Sequence, residues 1–425
     1  MALRRSRREE ADAVARHRRP SRARAVSVRA RDETMIDRTL ESTPSRVLTH
    51  RESLPRAIAL SVPARVRARR DRPSAIARPR STARASSARG GRCAGDAAPE
   101  TRRAAMRALG VEGGGTSWRA RVVELAETRD ARGATPSETV VEATFETTTP
   151  SETLGEIRAW IEAHASDARA IGVATFGPIA LAGDAYGHIT TTPKPGWGDA
   201  DVLGTLFGPR DAEEARAWRG ERARARTPSG IPLVFDTDVN APALLEGYLS
   251  GQPTVCYVTV GTGVGVGIVA EGRPVHGVLH PEAGHVHVKM MEGETFAGCC
   301  PFHGTCVEGM VGSNALAKRR GVKPADLASL PDDDEIWEYA AHYLAGLCVN
   351  LTLILAPHKI VLGGGVMNRE CLYQKIRDKT RTLLSGYLSV DTVSDGGIDE
   401  YIVKPVHGAE AGIAGAIFLA ENALL

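Results

Sequence analysis

Apolar residues along this chain are grouped into short runs whose order predicts its secondary structure. A glycine turn lies between two strand-like runs in residues 107–127, and residues 140–147 predict a third strand. Residues 151–165 repeat apolar side chains at helical spacing, and the apolar run at residues 170–179 is typical of a buried strand. The pattern therefore predicts a unit of three strands, a helix and a fourth strand.

The same unit is predicted a second time further along the chain. Residues 232–251 predict a strand that enters a helix, and residues 255–272 again contain a glycine turn between two strands. A short strand at residues 285–290, a long helix at residues 335–357 and a strand at residues 359–366 complete the second copy. Two copies of one unit predict an α/β fold with two similar lobes around a central cleft.

The first hundred residues differ in composition from the rest of the chain. They contain 25 arginines, no lysine and 11 acidic residues, whereas the whole chain has 54 basic and 51 acidic residues. A basic segment therefore precedes an acidic body. Residues 1–105 also lack the periodic apolar pattern that builds a core, so we expect them to form a disordered extension.

Three interpretations of this extension remain open. Its Arg-rich, Ser-bearing and acid-poor composition is typical of a transit peptide, which would direct the protein to the plastid or, as the second choice, to the mitochondrion. Alternatively, translation starts later, at Met35 or Met106, and the protein is cytoplasmic. A basic tail that binds nucleic acid is the third interpretation. It is the least favoured because the segment has no aromatic residue and no helix-turn-helix pattern, so we expect no nucleic-acid partner.

Two further features narrow the class of protein. No apolar run reaches the roughly 18 residues that a transmembrane helix needs, so we expect no membrane partner. Seven cysteines, three of them close together, indicate a reducing compartment and a metal site rather than a disulfide framework.

Four potential metal ligands lie in residues 280–306, a segment that we call the zinc loop. Three of them have the spacing C-x2-H-x2-C, and the fourth lies fifteen residues before the first of these. Thiolate sulfur and imidazole nitrogen are the ligands that zinc prefers, and four of them suit a closed structural site. Cys299 and His287 remain alternatives for one position. The proposed ligands are His285, Cys300, His303 and Cys306.

Three glycine-rich turns are candidates for contacts with phosphate groups. Backbone N–H groups of glycine can approach phosphate oxygens closely because glycine has no Cβ, and threonine adds a hydroxyl donor. Two of the turns occupy equivalent places in the two units, and the third follows a buried strand, where open α/β sheets commonly bind a nucleotide. The candidate residues are Gly114, Gly115 and Thr116 in the first turn, Gly261, Thr262 and Gly263 in the second, and Gly363, Gly364 and Gly365 in the third.

Asp238 is the candidate catalytic base. It lies in the run D-T-D-V-N-A just after an apolar strand, so it would emerge at a strand end near the cleft. Phosphoryl transfer needs phosphate clamps, Mg²⁺ and a carboxylate that accepts the proton of the attacking hydroxyl. Two alternatives remain: Asp236 has a similar position, and Asp238 or Asn240 could simply cap the following helix.

Polar side chains at the start of the zinc loop suit a sugar site. Glu282 and His285 could hold neighbouring hydroxyl groups by directional hydrogen bonds. His285 could serve twice, with one ring nitrogen on zinc and the other on a sugar hydroxyl, and the metal would then fix its tautomer.

Taken in order, residues 107–420 resemble the ROK (repressor, ORF, kinase) sugar kinases of the actin/hexokinase superfamily, and within them the zinc-containing bacterial fructokinases. The match covers essentially the whole body. The motifs that carry it are G-V-E-G-G-G-T at 110–116, T-T-P-K-P-G-W at 191–197, D-T-D-V-N-A at 236–241, V-T-V-G-T-G-V-G-V-G at 258–267, H-P-E-A-G-H at 280–285, C-P-F-H-G-T-C at 300–306, V-L-G-G-G-V-M at 361–367 and G-A-E-A-G-I-A-G-A at 408–416.

The resemblance implies two ribonuclease-H-like lobes. Residues 106–236 would form the N-terminal lobe and residues 237–409 the C-terminal lobe, while a helix at residues 410–425 would pack back on the first lobe. It also implies phosphorylation of a hexose at its 6-hydroxyl by ATP with Mg²⁺, with D-fructose as the first choice, and a structural zinc. The residues that it assigns are Asp238 as general base, Thr237, Asp238, Glu282 and His285 to the sugar, and Thr262, Gly363, Gly364, Gly365, Val366 and Met367 to ATP.

Departures from the family pattern are few. Glu112 stands where many members have Asp, and Ser117 stands where Lys is common. Alternatives within the family are a glucokinase and an N-acyl-hexosamine kinase. An alternative of another class is a sugar-binding regulator without catalysis, which the missing DNA-binding domain disfavours. We expect a homodimer, the commonest closed assembly.

Overall fold

The computed structural model describes most of the chain after its first hundred residues. The described residues are 106–126 and 137–424, apart from 212, 215–217, 219–224 and 395. The predicted extension at residues 1–105, including the predicted transit peptide, lies outside the described residues.

The first sheet contains five strands in the order β3-β2-β1-β4-β5. β1 and β2 are antiparallel, as are β2 and β3, whereas β4 and β5 run parallel to β1. All six residues of β4 are buried, as expected for a central parallel strand covered on both faces. The strands are β1 (Met106–Gly113), β2 (Ser117–Leu125), β3 (Ser137–Glu146), β4 (Ala170–Thr175) and β5 (Leu233–Thr237).

The second sheet repeats the order of the first. Its strands follow the order β10-β9-β6-β7-β8, with β6, β7 and β8 antiparallel and β9 and β10 parallel to β6. The predicted α/β fold with a duplicated unit is therefore confirmed. The strands are β6 (Val255–Val260), β7 (Val264–Ala270), β8 (Arg273–Pro274), β9 (Lys359–Gly363) and β10 (Ile402–Val403).

Nine helices surround these sheets in the described part of the chain. They are α1 (Pro150–His164), α2 (Val202–Phe207), α3 (Asn240–Ser250), α4 (Val307–Val311), α5 (Ser313–Arg320), α6 (Ile336–Leu355), α7 (Cys371–Leu384), α8 (Ile398–Tyr401) and α9 (Ala411–Asn422). Short 3-10 turns precede some of them, such as Gly408–Glu410 before α9.

Helix α6 is the core helix of the C-terminal lobe. By length and composition alone it could cross a membrane. Its side chains Trp337, Tyr343 and Leu347 are nevertheless buried in the apolar cluster formed with β6, β7 and β9. Its apolar character is thus explained by packing inside the lobe.

The strand predicted at residues 285–290 is not formed. His285 ends a 3-10 turn (Ala283–His285), residues 286–290 have irregular backbone, and the third strand of the second sheet is instead the short β8. The alternating apolar residues of this segment, Val286 and Val288, pack against the core of the lobe rather than pairing with a strand. His342 of α6 holds the segment by contacting the carbonyl oxygen of Lys289 at 2.8 Å. The alternation therefore reflects packing on a helix.

Helices α3 and α9 are exchanged between the two sheets. α3 follows β5 of the first sheet but packs on β6 and β7, whereas α9 follows β10 of the second sheet but packs on β1 and β4. Two glycines permit these approaches: a Cβ at Gly172 would lie 1.9 Å from the carbonyl oxygen of Ala416, and a Cβ at Gly267 would lie 2.0 Å from that of Val239. The two helices also touch each other, so they join the lobes at the base of the cleft.

Candidate active site and metal centre

The first two glycine turns face each other across the cleft. One turn joins β1 to β2 and is closed by a hydrogen bond of 2.9 Å from Gly114 N to Ser117 O. The other joins β6 to β7 and is closed by a tighter bond, from Gly261 N to Gly263 O, also of 2.9 Å. The hydroxyl oxygens of Thr116 and Thr262 lie 3.5 Å apart. The structure therefore brings together predicted phosphate-binding residues from both lobes.

The third glycine turn adjoins the second. A Cβ at Gly364, which has a φ of +90°, would lie 2.5 Å from the backbone nitrogen of Val260, the last residue of β6. Gly363 ends β9, and Gly365 begins a 3-10 turn. Val366 and Met367 point their side chains into the core, where they are 8% and 3% exposed, so they offer a ligand their backbone atoms rather than their side chains.

Asp238 lies at the carboxyl end of β5, at the same edge of the sheet as the first glycine turn. Its backbone nitrogen donates to Thr175 O at 3.0 Å, and Thr175 pairs with Gly113, the last residue of β1. Burial, and then the negative charges of Glu112 and Glu282, raise the pKa of Asp238 to about 7. A carboxyl group with this pKa can accept a proton near neutral pH.

Asp236, the alternative base, is already engaged. Its Oδ1 atom accepts hydrogen bonds from Thr237 N at 2.7 Å and from Asn240 Nδ2 at 2.8 Å, and His276 Nε2 lies 3.0 Å from its Oδ2 atom. Thr237 is buried, and its hydroxyl accepts a hydrogen bond from the backbone nitrogen of Asn240, the first residue of α3, at 2.9 Å. Within the described part of the chain, no other side chain forms a hydrogen bond with the Asp238 carboxylate. The geometry thus favours Asp238 over Asp236 as the group that is available for chemistry.

An ion-pair network lies behind the first glycine turn. Arg119 donates from Nε to Glu112 Oε2 at 2.8 Å and from Nη1 to Glu410 Oε1 at 2.7 Å. Arg121 pairs with both Glu410 and Glu142. Burial raises the pKa of Glu112, and the charge of Arg119 opposes this shift. Because Glu410 directly precedes α9, the network ties β2 to the helix that joins the lobes.

Glu282 and its neighbour His280 form a polar corner next to the cleft. Burial raises the pKa of Glu282 to about 7, and the nearby charge of Glu308 adds to this shift. His280 is 5% exposed and accepts a hydrogen bond through Nε2 from Ile179 N at 3.0 Å. Its proton is therefore on Nδ1, which lies 3.5 Å from Glu282 Oε1. The hydrogen bond from Ile179 to His280 joins the zinc loop to the N-terminal lobe.

The four predicted metal ligands converge on one point. Their ligand atoms all lie within 4.8 Å of one another. His285 Nδ1 lies 3.3 Å from His303 Nδ1, 3.6 Å from Cys300 Sγ and 3.5 Å from Cys306 Sγ. Neither alternative, Cys299 nor His287, belongs to this cluster.

These distances fit a tetrahedral zinc ion. Zinc bonds of about 2.3 Å to sulfur and about 2.0–2.1 Å to nitrogen, at tetrahedral angles, separate a nitrogen ligand from a sulfur ligand by about 3.6 Å and two nitrogens by about 3.4 Å. The contacts of Cys300 with both histidines, 3.6 Å each, have the first of these lengths. The donor set and these spacings therefore suit a closed, structural zinc site.

Glu308 is a site residue that the sequence did not single out. It lies two residues after Cys306, and its Oε1 atom is 3.9 Å from Nε2 of His285, the ring nitrogen that faces away from the cluster. Its Oε2 atom accepts a hydrogen bond from Val264 N at 3.1 Å, at the end of the second glycine turn. Glu308 thus joins the zinc loop to that turn, and its place so soon after a ligand was a signal that could have identified it.

Comparison with known proteins shows the family to which this chain belongs. The profile of the ROK family matches residues 224–423. A fructokinase from Pediococcus pentosaceus is 38% identical over 299 residues, which cover 69% of this chain and 94% of that protein. A fructokinase from Zymomonas mobilis subsp. mobilis is 34% identical over 320 residues, which cover 73% of this chain and 95% of that protein.

The chain belongs to the ROK family. A crystal structure of a ROK family glucokinase from Streptomyces griseus in complex with glucose and AMPPNP agrees with it at a TM-score of 0.52 and 20% identity, covering 74% of this chain and 99% of that one. The likeness in structure confirms the hexokinase-type fold. In this ROK protein the contact of Thr116 with Thr262 joins the turns of the two lobes, and the hydrogen bond from Val264 to Glu308 joins the second turn to the residues that follow the zinc loop.

Proposed function

We propose that this ROK protein is an ATP-dependent fructokinase, which converts D-fructose to D-fructose 6-phosphate. The observation that carries the proposal is the approach of the Thr116 and Thr262 hydroxyls to 3.5 Å at the sheet edge where Asp238 lies. The two fructokinases that align over 94% and 95% of their own length support the choice of sugar.

Asp238 acts as the general base. The oxygen of the 6-hydroxyl forms a bond to the γ-phosphorus of ATP, and the bond from that phosphorus to the bridging oxygen breaks, so that its electron pair leaves with ADP. The hydroxyl proton moves to the Asp238 carboxylate. A pKa of about 7 allows this group to be ionised in the resting enzyme and still to hold the proton after transfer.

The sugar lies against the start of the zinc loop. Glu282 and His285 contact its hydroxyl groups, with Thr237 and Glu308 beside them. His285 presents Nδ1 to the metal cluster, and the gap of 3.9 Å between its Nε2 atom and Glu308 Oε1 leaves room for a sugar hydroxyl to contact both. With Nδ1 on zinc, His285 would carry its ring proton on Nε2, and this nitrogen would donate to the sugar.

Two metal ions take part in this proposal. His285, Cys300, His303 and Cys306 would hold zinc, and with four protein ligands this ion would be structural. Mg²⁺ accompanies ATP and neutralises charge on its phosphates when bound. Such ions commonly use one or two carboxylates together with phosphate oxygens, and Glu112 beside the first turn is a carboxylate of the required type.

The nucleotide lies along the three glycine turns. Gly114, Gly115 and Thr116 with Gly261, Thr262 and Gly263 provide backbone N–H and hydroxyl donors to the phosphates. The backbone of Gly363, Gly364, Gly365, Val366 and Met367 contacts the adenosine part. Closure of the lobes over both substrates would exclude water from the transferred group.

The deciding experiment is a coupled ATP-consumption assay on the full chain. Fructose, mannose, glucose and N-acetylmannosamine are compared, each with and without a zinc chelator. We expect fructose to give the highest kcat/KM and the chelator to lower it. A preference for glucose or N-acetylmannosamine would make the protein a glucokinase or a hexosamine kinase, and binding without turnover would make it a regulator.

The assembly and the localisation of the protein are also proposals. We propose a homodimer, which light scattering of the purified chain tests directly. For residues 1–105 we propose a transit peptide to the plastid, with the mitochondrion, or a later translation start at Met35 or Met106 and a cytoplasmic protein, as alternatives. Sequencing the N-terminus of the protein isolated from its cells decides: an N-terminus created by cleavage at another residue would support targeting, whereas one at Met35 or Met106 would support the later start.

A further inference from the structure

An aromatic cluster holds residues 191–197 beside the first glycine turn. The buried Trp197 stacks on Trp118 with ring centroids 5.5 Å apart, and Phe176 meets the Trp197 ring edge-on at 5.2 Å. Trp197 Nε1 donates a hydrogen bond to Thr148 O at 2.9 Å. Because Trp118 is the second residue of β2, the cluster fixes the segment next to the end of the turn.

Lys194 reaches from this segment to the turn itself. Its Nζ atom donates a hydrogen bond to the carbonyl oxygen of Gly115, 79 residues earlier in the chain. Gly115 directly precedes Thr116, whose hydroxyl faces that of Thr262 across the cleft. The ammonium group therefore lies at the edge of the place where the two glycine turns meet.

The other basic residues of this corner are already paired with acids. Arg119 forms ion pairs with Glu112 and Glu410, and Arg121 also pairs with Glu410. Lys194 contacts only a neutral carbonyl oxygen here, and within the described part of the chain no carboxylate pairs with it. Lys194 is thus the basic side chain of this corner whose charge is not compensated.

We propose that Lys194 binds the γ-phosphoryl group of ATP and stabilises the charge on its oxygens during transfer. The inference rests on the proposed kinase function and adds a cation to a phosphate site whose glycine turns supply only neutral donors. An ammonium group carries three donors, so one can remain on Gly115 O while the others contact phosphate oxygens.

The role of Lys194 in the reaction is electrostatic. The bonds that form and break are those given above, and the proton goes to Asp238, so Lys194 neither gains nor loses a proton. Negative charge spreads over the oxygens of the transferred group in the transition state, and a fixed cation there lowers the barrier. Loss of Lys194 should therefore lower kcat and weaken the binding of ATP, and it should leave the binding of fructose unchanged.

The test compares four forms of the full chain: wild type, Lys194→Met, Lys194→Arg and the double variant Ser117→Lys with Lys194→Met. Removing one such donor typically costs about 10²–10³-fold in rate, so Lys194→Met should lower kcat/KM for ATP by about 100-fold with KM for fructose unchanged. Lys194→Arg should retain most of the activity. The added Ser117→Lys change returns an ammonium group to the same turn. The double variant should therefore have a kcat/KM for ATP at least about tenfold higher than that of Lys194→Met. The control is Lys379→Met on α7, where the lysine pairs with Glu338 at 2.8 Å, and it should behave like wild type.

A binding measurement separates this inference from the proposed function. Calorimetric titration should show that Lys194→Met weakens the binding of AMPPNP at least about tenfold. The binding of AMP should be unchanged, because only AMPPNP has a γ-phosphoryl group. If the wild type phosphorylates no sugar, the proposed function is wrong, and the titration still decides the role of Lys194. Equal AMPPNP affinity and equal kcat in wild type and Lys194→Met would overturn the inference.

Discussion

The hydroxyl oxygens of Thr116 and Thr262 lie 3.5 Å apart, although 146 residues separate the two threonines in the chain. Each belongs to the turn between the first two strands of its own sheet, so the contact joins equivalent points of the duplicated unit. A phosphate group bound between the lobes would accept hydrogen bonds from both hydroxyls.

Loss of one of these hydroxyls should weaken the use of ATP. A hydrogen bond to a charged group contributes about 1.5–3 kcal/mol, so Thr262→Val should lower kcat/KM for ATP by about 10- to 150-fold. Steady-state kinetics with ATP varied at saturating fructose measures the effect. The matched control is Thr382→Val on α7, whose hydroxyl donates only to Asp378 O at 2.9 Å. Equal kinetics for the two variants would remove Thr262 from the nucleotide site.

The acid limb of the pH profile should report Asp238. The base must be ionised, and its pKa is raised to about 7 by burial and by the charges of Glu112 and Glu282, so kcat/KM should fall as the pH drops below about 7. Removing the negative charge in Glu112→Gln makes ionisation of Asp238 easier. The acid limb should therefore move to lower pH, by about 0.5–1 unit.

Two variants control this experiment. Glu142→Gln alters the same ion-pair network through Arg121, but Glu142 lies on β3, at the opposite edge of the sheet from β5 and Asp238, so the acid limb of this variant should stay in place. Asp238→Asn should lower kcat by about 10²–10⁴-fold while fructose still binds. An unshifted limb in Glu112→Gln, or near-normal turnover in Asp238→Asn, would place the base elsewhere.

Zinc content should depend on the two cysteines of the cluster and not on their neighbour. Cys300→Ser combined with Cys306→Ser should lose the bound metal and lower the unfolding temperature, because binding of a structural metal contributes to folding free energy. Elemental analysis of the purified chain measures this. Cys299→Ser changes the residue adjacent to Cys300 but lies outside the cluster, so it should keep its zinc. Full zinc content in the double variant would refute the ligand assignment.

The packing of α9 on the first sheet gives a prediction about stability. Alanine at Gly172 would place its Cβ 1.9 Å from Ala416 O, so Gly172→Ala should lower the free energy of unfolding by about 1–3 kcal/mol or more. Gly155 in α1 has no atom within 4 Å of such a Cβ, so Gly155→Ala should raise it by about 0.5–1 kcal/mol. Urea unfolding compares the two. Similar destabilisation by both changes would contradict the close approach of α9.

The sequence predicted the parts of this protein that depend on local patterns. The glycine turns between apolar runs predicted where the two sheets begin in the chain. The C-x2-H-x2-C spacing, together with His285, predicted the four residues that the structure brings into one cluster. The roles of Asp238 and Glu282, which come from local motifs and from the resemblance together, stay predictions. These features could be read because each lies within one short segment of the chain.

The sequence failed where contacts over long distances decide. The alternation at residues 285–290 predicted a strand, but its valines pack against the core of the lobe. Lys194 lies in the motif at residues 191–197, but the sequence gave it no role, because its neighbour Gly115 is 79 residues away and Trp197 holds the segment there. The pairing of Arg119 with Glu410 spans 291 residues. Spacing in the sequence carries no information about such partners.

The exchange of α3 and α9 has a consequence for how the protein is made. Strands β1 and β4 leave the ribosome early, but α9, the helix that covers them, is translated after nearly all of the C-terminal lobe. The apolar face formed by Ala108, Ala170 and Ala174 stays uncovered until then. Domains usually fold in the order of their synthesis. Here the N-terminal lobe is synthesised first, but it is complete only after α9 has been translated. A chain that stops short of Ala411 would therefore expose its earliest sheet to chaperones and proteases, even with a finished C-terminal lobe.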